Sequence, residues 1–381
     1  MKLVLFVDTL SSHQEGLCNA FYHRLGENFK AVFLGKMAEC RKAANFEDLS
    51  GKYQYAHDLS SLTPDDQEKQ IDEFVNWADV GIVGGVSSAI IDKLLVQDKK
   101  VFLFSERFYK KGTWRHLIPT TLKKVRERFR NNPNFEVLCA SAYLPYDLKI
   151  SGYKGKTLQW GYFPQVYADT PNKSSDKTVS ILWAGRLIPW KHPETCILLA
   201  ERLAKANVDF RLTMVGYGDM KSELQDLIRK KDLSQYVEMK DALPPQEVHR
   251  LMCEADIYLA TSDYNEGWGV VVNEAMTAGC ALVASSAMGS VPYMIKNRDN
   301  GFVCDWDDID GFYNATKLLI ENSNLRNAVS KRAAETMKDD YSPETAADRF
   351  CRYFEGEVFT EGVCSVSVFR KEKPKFNWRK R

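Results

Sequence analysis

Two basic side chains follow the first apolar run in the second half of the sequence and could hold an anion. The run Val179–Trp183 predicts a buried strand, and Arg186 and Lys191 follow it, separated by a turn that contains Pro189. A planar guanidinium fork and a point-charge ammonium that converge on one place suit phosphate oxygens. The segment alone is equally compatible with two solvated surface cations.

A second segment, after the predicted strand Ile257–Ala260, combines small residues with two carboxylates. A polar turn leads into a helix that opens near Val270. Amide groups at such a helix start favour an anion, and small residues let a ligand approach the main chain. The residues of interest in this segment are Glu266, Gly267, Trp268, Gly269 and Glu274.

Glu266 and Glu274 are poor phosphate ligands, but carboxylates accept hydrogen bonds from hydroxyls. Next to an anion site, they predict a ligand that carries both a phosphate and sugar hydroxyls. Taken alone, Glu266 would be interpreted as a solvated turn residue and Glu274 as an ordinary helix carboxylate. The combination favours the binding site.

A glycine pair, Gly216 and Gly218, follows a third predicted strand, Phe210–Val215. The pair indicates a tight turn. A dinucleotide-binding fingerprint needs a third glycine and an acidic residue about 20 positions later. Neither is cleanly present, so a nicotinamide-dependent dehydrogenase is the weaker interpretation.

The elements that would position these residues alternate between apolar strands and helices. Apolar runs predict strands at Lys2–Val7, Ala31–Leu34, Val80–Val83, Val101–Phe104, Phe135–Leu138, Val179–Trp183, Phe210–Val215, Ile257–Ala260 and Ala281–Ala284. Helical periodicity predicts helices between them, for example Glu15–Leu25, Asp65–Trp77 and Ile118–Arg130. Strands apolar on both faces that alternate with helices predict an α/β fold with parallel sheets and helices on both faces.

A polar segment with a proline, residues 170–176, separates two α/β halves of similar size. Ligands of open α/β sheets bind beyond the carboxyl ends of the strands. Two facing sheets would therefore place the residues described above in one cleft.

Composition agrees with a globular protein of two domains, since 381 residues exceed one domain of about 150. Apolar residues make up 44% and charged residues 27%, and the net charge is +1. This balance excludes wholesale disorder and a global field that would recruit nucleic acid. The basic residues also lack a nucleic-acid-binding motif and interleaved stacking aromatics, so no nucleic-acid partner is expected.

The nine cysteines include no CxxC pair, which favours a reducing compartment. The N-terminal run MKLVLFVDTL predicts a first strand and not a secretory signal. No stretch of about 18 uninterrupted apolar residues occurs, so no membrane span is expected. These features predict a cytoplasmic protein.

The order of the motifs resembles the family 4 (group 1) glycosyltransferases over about residues 175–345. The residues that carry the resemblance are Gly185-Arg186, Lys191, Gly216-x-Gly218, Glu266-x7-Glu274 followed by Ala-Met, Gly279, and Asn300-Gly301-Phe302. The resemblance implies the GT-B architecture of two facing Rossmann-like domains, a nucleotide-sugar donor held by the C-terminal domain, and transfer with retention of anomeric configuration.

The resemblance also implies residue roles. Arg186 and Lys191 would neutralise the donor diphosphate, and Glu266 would bind hydroxyls of the transferred sugar. The amides of Gly267, Trp268 and Gly269 would contact sugar and phosphate. Glu274 would accept hydrogen bonds from the ribose, and the base would lie near Gly216 and residues 240–243.

Domain boundaries follow from the same resemblance and from the polar segment. We expect an acceptor-binding domain, a linker, a nucleotide-sugar-binding domain, a C-terminal helix that crosses back to the first domain, and a basic tail. Their ranges are 1–169, 170–176, 177–342, 343–360 and 361–381.

The first half departs from the family pattern. The family has a Gly-Gly turn after the first strand, whereas this turn has the sequence Ser11-Ser-His-Gln-Glu-Gly16. Only Gly16 could therefore lie close to the phosphates of the donor. The family also places a histidine after a central strand, where this chain has Glu106. Glu106 could contact acceptor or sugar, or it could have a structural or capping role. His13 is a second candidate, with a solvated loop histidine as the alternative.

Two basic segments could contact a membrane. Residues 107–130 hold nine Lys or Arg residues and one acidic residue, on a predicted amphipathic helix. Such a helix can lie on anionic lipid or receive a lipid-diphosphate acceptor, or its charges can simply be solvated. The tail 370–381 could add a second contact or be a disordered end.

The sequence therefore predicts a retaining glycosyltransferase that moves a sugar from a nucleotide-sugar, UDP- or GDP-linked, to a glycan or lipid-linked acceptor in surface polysaccharide synthesis. Cations would replace a metal: the Asp-x-Asp pairs at Asp305 and Asp308 precede a helix and more plausibly favour its N-terminus. The alternatives are a GT-B nucleotide-sugar epimerase or phosphorylase, and a non-catalytic nucleotide-sugar-binding subunit.

Overall fold

The structure is a computed structural model, and it describes residues 1–9, 12–36, 51–164 and 178–373. The first domain contains a seven-stranded parallel sheet in the order β3-β2-β1-β4-β5-β6-β7. Its strands are β1 (Leu3–Val7), β2 (Phe29–Phe33), β3 (Ala56–Asp58), β4 (Val80–Gly84), β5 (Lys100–Ser105), β6 (Phe135–Cys139) and β7 (Thr157–Gln159). Its helices are α1 (Ser12–Leu25), α2 (Pro64–Trp77), α3 (Ala89–Val96), α4 (Pro119–Arg126) and α5 (Leu144–Ile150).

The second domain contains a six-stranded parallel sheet in the order β10-β9-β8-β11-β12-β13. Its strands are β8 (Val179–Ala184), β9 (Phe210–Val215), β10 (Val237–Lys240), β11 (Ile257–Ala260), β12 (Ala281–Ser285) and β13 (Phe302–Cys304). The helices that follow are α6 (Glu194–Lys205), α7 (Lys221–Lys230), α8 (Pro245–Glu254), α9 (Val271–Thr277), α10 (Val291–Met294), α11 (Ile309–Glu321), α12 (Ser323–Asp339) and α13 (Pro343–Phe354).

Both sheets are covered on both faces, because alternate residues of one strand enter different cores. In β1, Leu3 and Leu5 join one buried cluster, whereas Val4 and Phe6 join another. The same alternation occurs in β8, where Leu182 packs into the cluster shared with the first domain. The predicted α/β fold with two parallel sheets is confirmed.

Helix α13 returns to the first domain and packs against α1. The ring of Phe350 meets Phe21 and Phe102 edge to face, at centroid distances of 5.6 and 5.0 Å. The hydroxyl of Tyr353 donates to the carboxylate of Glu136 at 2.6 Å. Both sheets thus share one continuous core beneath the cleft.

Three expectations from the sequence need correction or completion. The helix predicted at Ile118–Arg130 is shorter: a 3-10 turn at Thr113–Leu117 precedes α4, which ends at Arg126. An i→i+3 bond from the amide of Arg128 to the carbonyl of Val125 tightens the chain there. The predicted linker 170–176 lies outside the described residues. The basic tail is described as far as Lys373 and is ordered along the edge of β7, where Gln159 donates to Ser365 at 2.8 Å.

Among the described residues, no helix is both long and apolar enough to cross a bilayer. The eight cysteines within the described ranges are all buried, and none of them forms a disulfide.

Candidate active site

The loop after β8 carries the two predicted cations. Arg186 is exposed, and its guanidinium lies over the ring of Trp190, 5.5 Å from the centroid. Lys191 ends a 3-10 turn, Pro189–Lys191, and its carbonyl accepts a hydrogen bond from Thr261 Oγ1 at 2.6 Å. Since Thr261 directly follows β11, the two neighbouring strand ends are tied together where a ligand would bind.

Lys191 and Glu266 form an ion pair in the cleft. Their Nζ and Oε2 atoms are 2.5 Å apart, and both side chains are more than four-fifths buried. Burial alone would raise the pKa of Glu266, but the ammonium of Lys191 and a hydrogen bond from Ser262 keep this pKa below its usual value. Glu266 is therefore held as a carboxylate that can accept hydrogen bonds from hydroxyls.

His192 is a site residue that the sequence analysis missed. Its ring connects the loop after β8 with the loop after β11. Nε2 lies 3.2 Å from Asp263 Oδ2, and Nδ1 lies 2.9 Å from Glu194 Oε1. Burial disfavours the charged ring, but the hydrogen bonds to Asp263 and Glu194 outweigh it and raise the pKa of His192 to about 9. The only sequence signal was its position beside Lys191, because its partner Asp263 is 71 residues away along the chain.

Gly267, Trp268 and Gly269 form the turn before α9, and a different structural constraint explains the residue type at each position. A Cβ on Gly267 would overlap the carboxylate of Glu106, and one on Gly269, where φ is +89°, would overlap Met288. The side chain of Trp268 is fully buried, and its Nε1 donates to Asn273 at 2.8 Å. Only the backbone of Trp268 is therefore available for the role expected of it.

Glu274 lies on α9 behind the Lys191–Glu266 pair. Burial raises the pKa of Glu274 to about 7, and the positive charge of Lys191 offsets part of the rise. A carboxyl group with this pKa changes charge near neutral pH, so any ligand contact that it makes depends on pH.

Gly216 and Gly218 bring the β9 loop against the β8 loop. A Cβ on Gly216 would overlap the carbonyl oxygen of Gly185, and one on Gly218 would overlap that of Leu187. The amide of Gly216 donates to Lys240 at 3.1 Å. The glycine pair therefore allows close backbone packing. The amide of Gly216 already has the carbonyl of Lys240 as its hydrogen-bond acceptor.

The first domain contributes Glu106 to the same cleft. Glu106 follows β5, packs against Gly267 and pairs with Lys110 at 2.5 Å. Lys110 also contributes to the lowered pKa of Glu266. The cleft thus alternates charges: Lys191 and Lys110 are cations beside the carboxylates of Glu266 and Glu106.

The predicted turn at Ser11–Gly16 is wrong. Helix α1 begins at Ser12, so Gly16 is buried inside the helix, where its amide belongs to the helical hydrogen-bond ladder. His13 lies in the first turn of α1, and its ring meets Tyr162 edge to face at 6.4 Å. His13 is therefore a helix residue near the cleft and not a loop residue.

No cluster of His, Cys, Asp and Glu suited to a metal ion occurs among the residues that the structure describes. Asp308 caps α11, since its Oδ1 accepts from the amide of Gly311 at 2.9 Å. The Asp-x-Asp pattern at this position is therefore part of a helix start, as expected.

A separate cavity of about 850 Å³ lies beside β13 and the end of β12. Tyr143 of the first domain and Tyr264 of the second are among its lining residues. Its charged lining includes both cations and the carboxylates of Asp305 and Asp308.

In comparisons with known proteins, the second half of the chain matches a family model. Residues 168–336 match the family model described as "Glycosyl transferases group 1". An uncharacterized glycosyltransferase of Haemophilus influenzae is 28% identical over 172 residues, or 45% of this chain and 47% of the relative. The amylovoran biosynthesis glycosyltransferase AmsK of Erwinia amylovora is 25% identical over 236 residues, covering 60% of this chain and 56% of the relative. The chain spans about half the length of the curated relatives it matches.

The whole fold also has solved counterparts. The structure of Anabaena HepE in complex with UDP superposes with a TM-score of 0.69 at 15% identity, over 94% of this chain and 100% of that one. This similarity shows the fold: two facing parallel-sheet α/β domains of the GT-B architecture. Residues 168–336 are therefore similar to group 1 glycosyl transferases, and they lie within a GT-B fold.

Proposed function

We propose that this protein is a retaining glycosyltransferase that moves a sugar from a nucleotide-sugar to a hydroxyl of a glycan or lipid-linked glycan. The observation that carries the proposal is the convergence of Lys191, Glu266 and Glu274 at one edge of the second sheet, next to Glu106 of the first domain. Arg186 lies on the same loop as Lys191 and is exposed there. Cations and hydroxyl acceptors side by side suit a ligand that combines a diphosphate with a sugar.

The proposed reaction breaks a glycosyl–phosphate bond and leaves negative charge on the diphosphate. Lys191 and Arg186 stabilise that charge without a metal, because preorganised cations in a partly enclosed site act strongly on developing charge. Glu266, ionised, accepts hydrogen bonds from the transferred sugar and fixes its orientation. The leaving phosphate helps to deprotonate the acceptor hydroxyl on the same face, so the anomeric configuration is retained.

The donor is proposed to be UDP- or GDP-linked. Structures of Anabaena HepE with UDP and with UDP-glucose support UDP as the first nucleotide to test. We also propose a role in surface polysaccharide synthesis, because similar proteins are glycosyltransferases named for amylovoran and colanic acid biosynthesis. We propose that the protein works in the cytoplasm, where nucleotide-sugars would reach it.

A thermal-shift panel with UDP, GDP, CDP, ADP and their sugar conjugates tests the donor site. A ligand at about 100 times its Kd adds roughly 2.7 kcal/mol of stability, so we expect a selective rise in Tm with one nucleotide. Arg186→Ala should weaken the binding of that nucleotide by about 10–100-fold, the usual contribution of a hydrogen bond to a charged group.

Arg229→Ala is the matched control, because Arg229 is exposed on α7 and pairs with the neighbouring Asp226. It should bind the nucleotide as the wild type does. A folded wild type that shows no shift with any of these ligands would argue against the transferase proposal. Nucleotide binding without turnover on any acceptor would instead favour the non-catalytic subunit.

We also propose peripheral contact with anionic membranes through residues 107–130, with the tail 370–381 as a second contact. The 3-10 turn before α4 exposes Trp114 (58%) and Leu117 (72%), and Lys123 and Lys124 on α4 are exposed as well. Exposed apolar anchors next to cations are the combination that holds a protein at an anionic lipid surface.

Vesicle sedimentation tests this contact. The double variant Trp114→Ala, Leu117→Ala should lose about tenfold in partitioning to phosphatidylglycerol-containing vesicles, because two apolar anchors are removed. Val96→Ala, which changes an isolated apolar side chain that is 87% exposed on α3, is the control. Equal partitioning of wild type and double variant, or no preference for anionic over neutral vesicles, would contradict the proposal.

A further inference from the structure

The loop that carries Glu106 and Lys110 is held at its start by a buried carboxylate. Asp147, on α5, accepts hydrogen bonds from the amides of Phe108 and Tyr109 at 2.9 and 3.0 Å. It also pairs with Arg107 at 3.4 Å, and both side chains are fully buried. Asp147 and the loop that it supports both belong to the first domain.

A second carboxylate, Glu372, holds the far end of the same loop. It accepts from the amide of Thr113 at 2.8 Å and from its hydroxyl at 3.0 Å. Its other oxygen pairs with Arg107 at 2.9 Å, and the Glu372 side chain is only 9% exposed. Arg107 therefore bridges two carboxylates that enclose the segment with Glu106 and Lys110.

Glu372 reaches this position along a path that touches both domains. Residues 364–367 pair with β7 through Gln159 and Thr157. The hydroxyl of Ser367 is hydrogen-bonded to Tyr293 of the second domain. The amide of Lys373, one residue beyond Glu372, donates to the hydroxyl of Tyr264 at 3.1 Å, two residues before Glu266. The chain segment 364–373 thus runs across the cleft from one domain to the other.

We propose that Glu372 is a positioning residue, which fixes the loop by holding Arg107 and Thr113. The fixed loop keeps Glu106 against Gly267 and Lys110 near Glu266. The proposal rests on the transferase function proposed above. When Glu372 is absent, the buried guanidinium of Arg107 loses one of its two carboxylate partners and the part-buried amide of Thr113 loses its acceptor. Polar groups that lose a partner away from water are costly. The loop then relaxes, and groups displaced by about 1 Å can reduce turnover by up to about 100-fold.

Amide hydrogen exchange tests the coupling without any substrate. In Glu372→Ala, we expect exchange at Thr113 to accelerate at least about tenfold, because its amide loses its acceptor and then opens more readily. The amides of Phe108 and Tyr109 keep Asp147 as their acceptor and should change less. Amides of Phe102–Phe104 in β5 are the internal reference and should not change. Lys371→Ala, an exposed neighbour in the same segment, is the matched control.

Kinetics with the nucleotide-sugar found in the thermal-shift panel test the consequence. In Glu372→Ala, kcat should fall about 10–100-fold, while the KM for the donor and the Kd for its nucleotide stay within twofold. Glu372→Gln keeps an oxygen for Thr113 but loses the charge that pairs with Arg107, so its kcat should lie between those of Glu372→Ala and wild type. It also serves as the second variant if the alanine form does not fold.

Three results separate the possible failures. Unchanged exchange at Thr113 in folded Glu372→Ala would overturn the inference. Faster exchange with kcat unchanged, or with donor affinity reduced as much as kcat, would also overturn it, because the effect would then be structural only. A wild type without turnover counts against the proposed function, whereas the exchange measurement still decides whether Glu372 holds the loop.

Discussion

Lys191→Ala is expected to lower kcat by about 10²–10³-fold, the usual cost of removing one preorganised group that stabilises transition-state charge. Lys191 is ion-paired with Glu266 at 2.5 Å within the cleft. In the proposed reaction its ammonium faces the leaving diphosphate, where negative charge grows as the glycosyl bond breaks. The substitution removes that charge while the loop stays tied to β11 through the carbonyl of residue 191 and Thr261.

The substitution should also change Glu266. Without the ammonium of Lys191, only the hydrogen bond from Ser262 and the charge of Lys110 offset the burial of Glu266, so the pKa of its carboxyl group rises. Part of the kcat loss should then appear as a stronger dependence on pH, with activity recovering as pH increases. Steady-state kinetics over a pH range, at saturating donor, would measure both effects.

Lys205→Ala is the control, since Lys205 is 74% exposed and pairs with Glu201 on the same helix. It should keep full activity. If Lys191→Ala raised KM but left kcat within tenfold of wild type, Lys191 would bind the donor equally in ground and transition states. That result would contradict its proposed role in stabilising the leaving group.

The sequence predicted the middle of each sheet well and its edges poorly. The strands at Phe210–Val215 and Ile257–Ala260 were predicted with their observed bounds. The strands missed were β3, β7, β10 and β13, and these are the four edge strands of the two sheets. Edge strands are short and partly exposed, so they tolerate polar residues and lose the continuous apolar run that signals a buried parallel strand.

The candidate site residues were proposed from positions that follow central strands, because parallel strands bring their carboxyl ends to one edge. The structure brings Lys191 and Glu266 into contact as that reasoning requires, and the donor-binding roles of Arg186, Lys191, Glu266 and Glu274 stay predictions. The predicted turn at Gly16 failed because helix α1 starts at Ser12, four residues earlier. The signal available in the sequence was Ser12 followed three residues later by Glu15, the S-x-x-E pattern of a helix start.

Residues that act through distant partners were not predictable. His192 depends on Asp263, and Glu372 depends on Arg107, 265 positions away. Burial and pairing of such charges are set by tertiary contacts, which spacing in one sequence does not encode. Residues 370–381 illustrate this, because their single acidic residue, Glu372, has the most buried side chain among the described residues 370–373.

Donor affinity is expected to rise about tenfold per pH unit from about pH 5 to pH 7 and then to level off, because ionisation of Glu274 controls it. Burial raises the pKa of Glu274 from its ordinary value to about 7. In the donor-free protein the folded state therefore favours the protonated carboxyl. Its contribution to stability is complete at pH values below the unfolded pKa and is lost as pH rises through about 7.

Donor binding has the opposite dependence. Ribose hydroxyls donate to Glu274 in the proposed complex, so they need the carboxylate, whose population grows as pH rises toward 7. Hydrogen bonds to a charged group contribute about 1.5–3 kcal/mol, which limits the total change to about 10–150-fold. His192, with a pKa of about 9, and Glu266, with a lowered pKa, keep their charges over this interval.

Isothermal titration with a nucleotide-sugar measures this dependence, because the diphosphate diester keeps its charge between about pH 5 and pH 8. Glu274→Gln keeps the shape of the side chain and an acceptor oxygen but cannot ionise. Its affinity should be nearly independent of pH and close to that of wild type at about pH 5. A flat wild-type profile would remove Glu274 from the donor site. A slope that persists in Glu274→Gln would assign the titration to another group, since only ionisation of residue 274 distinguishes the two proteins.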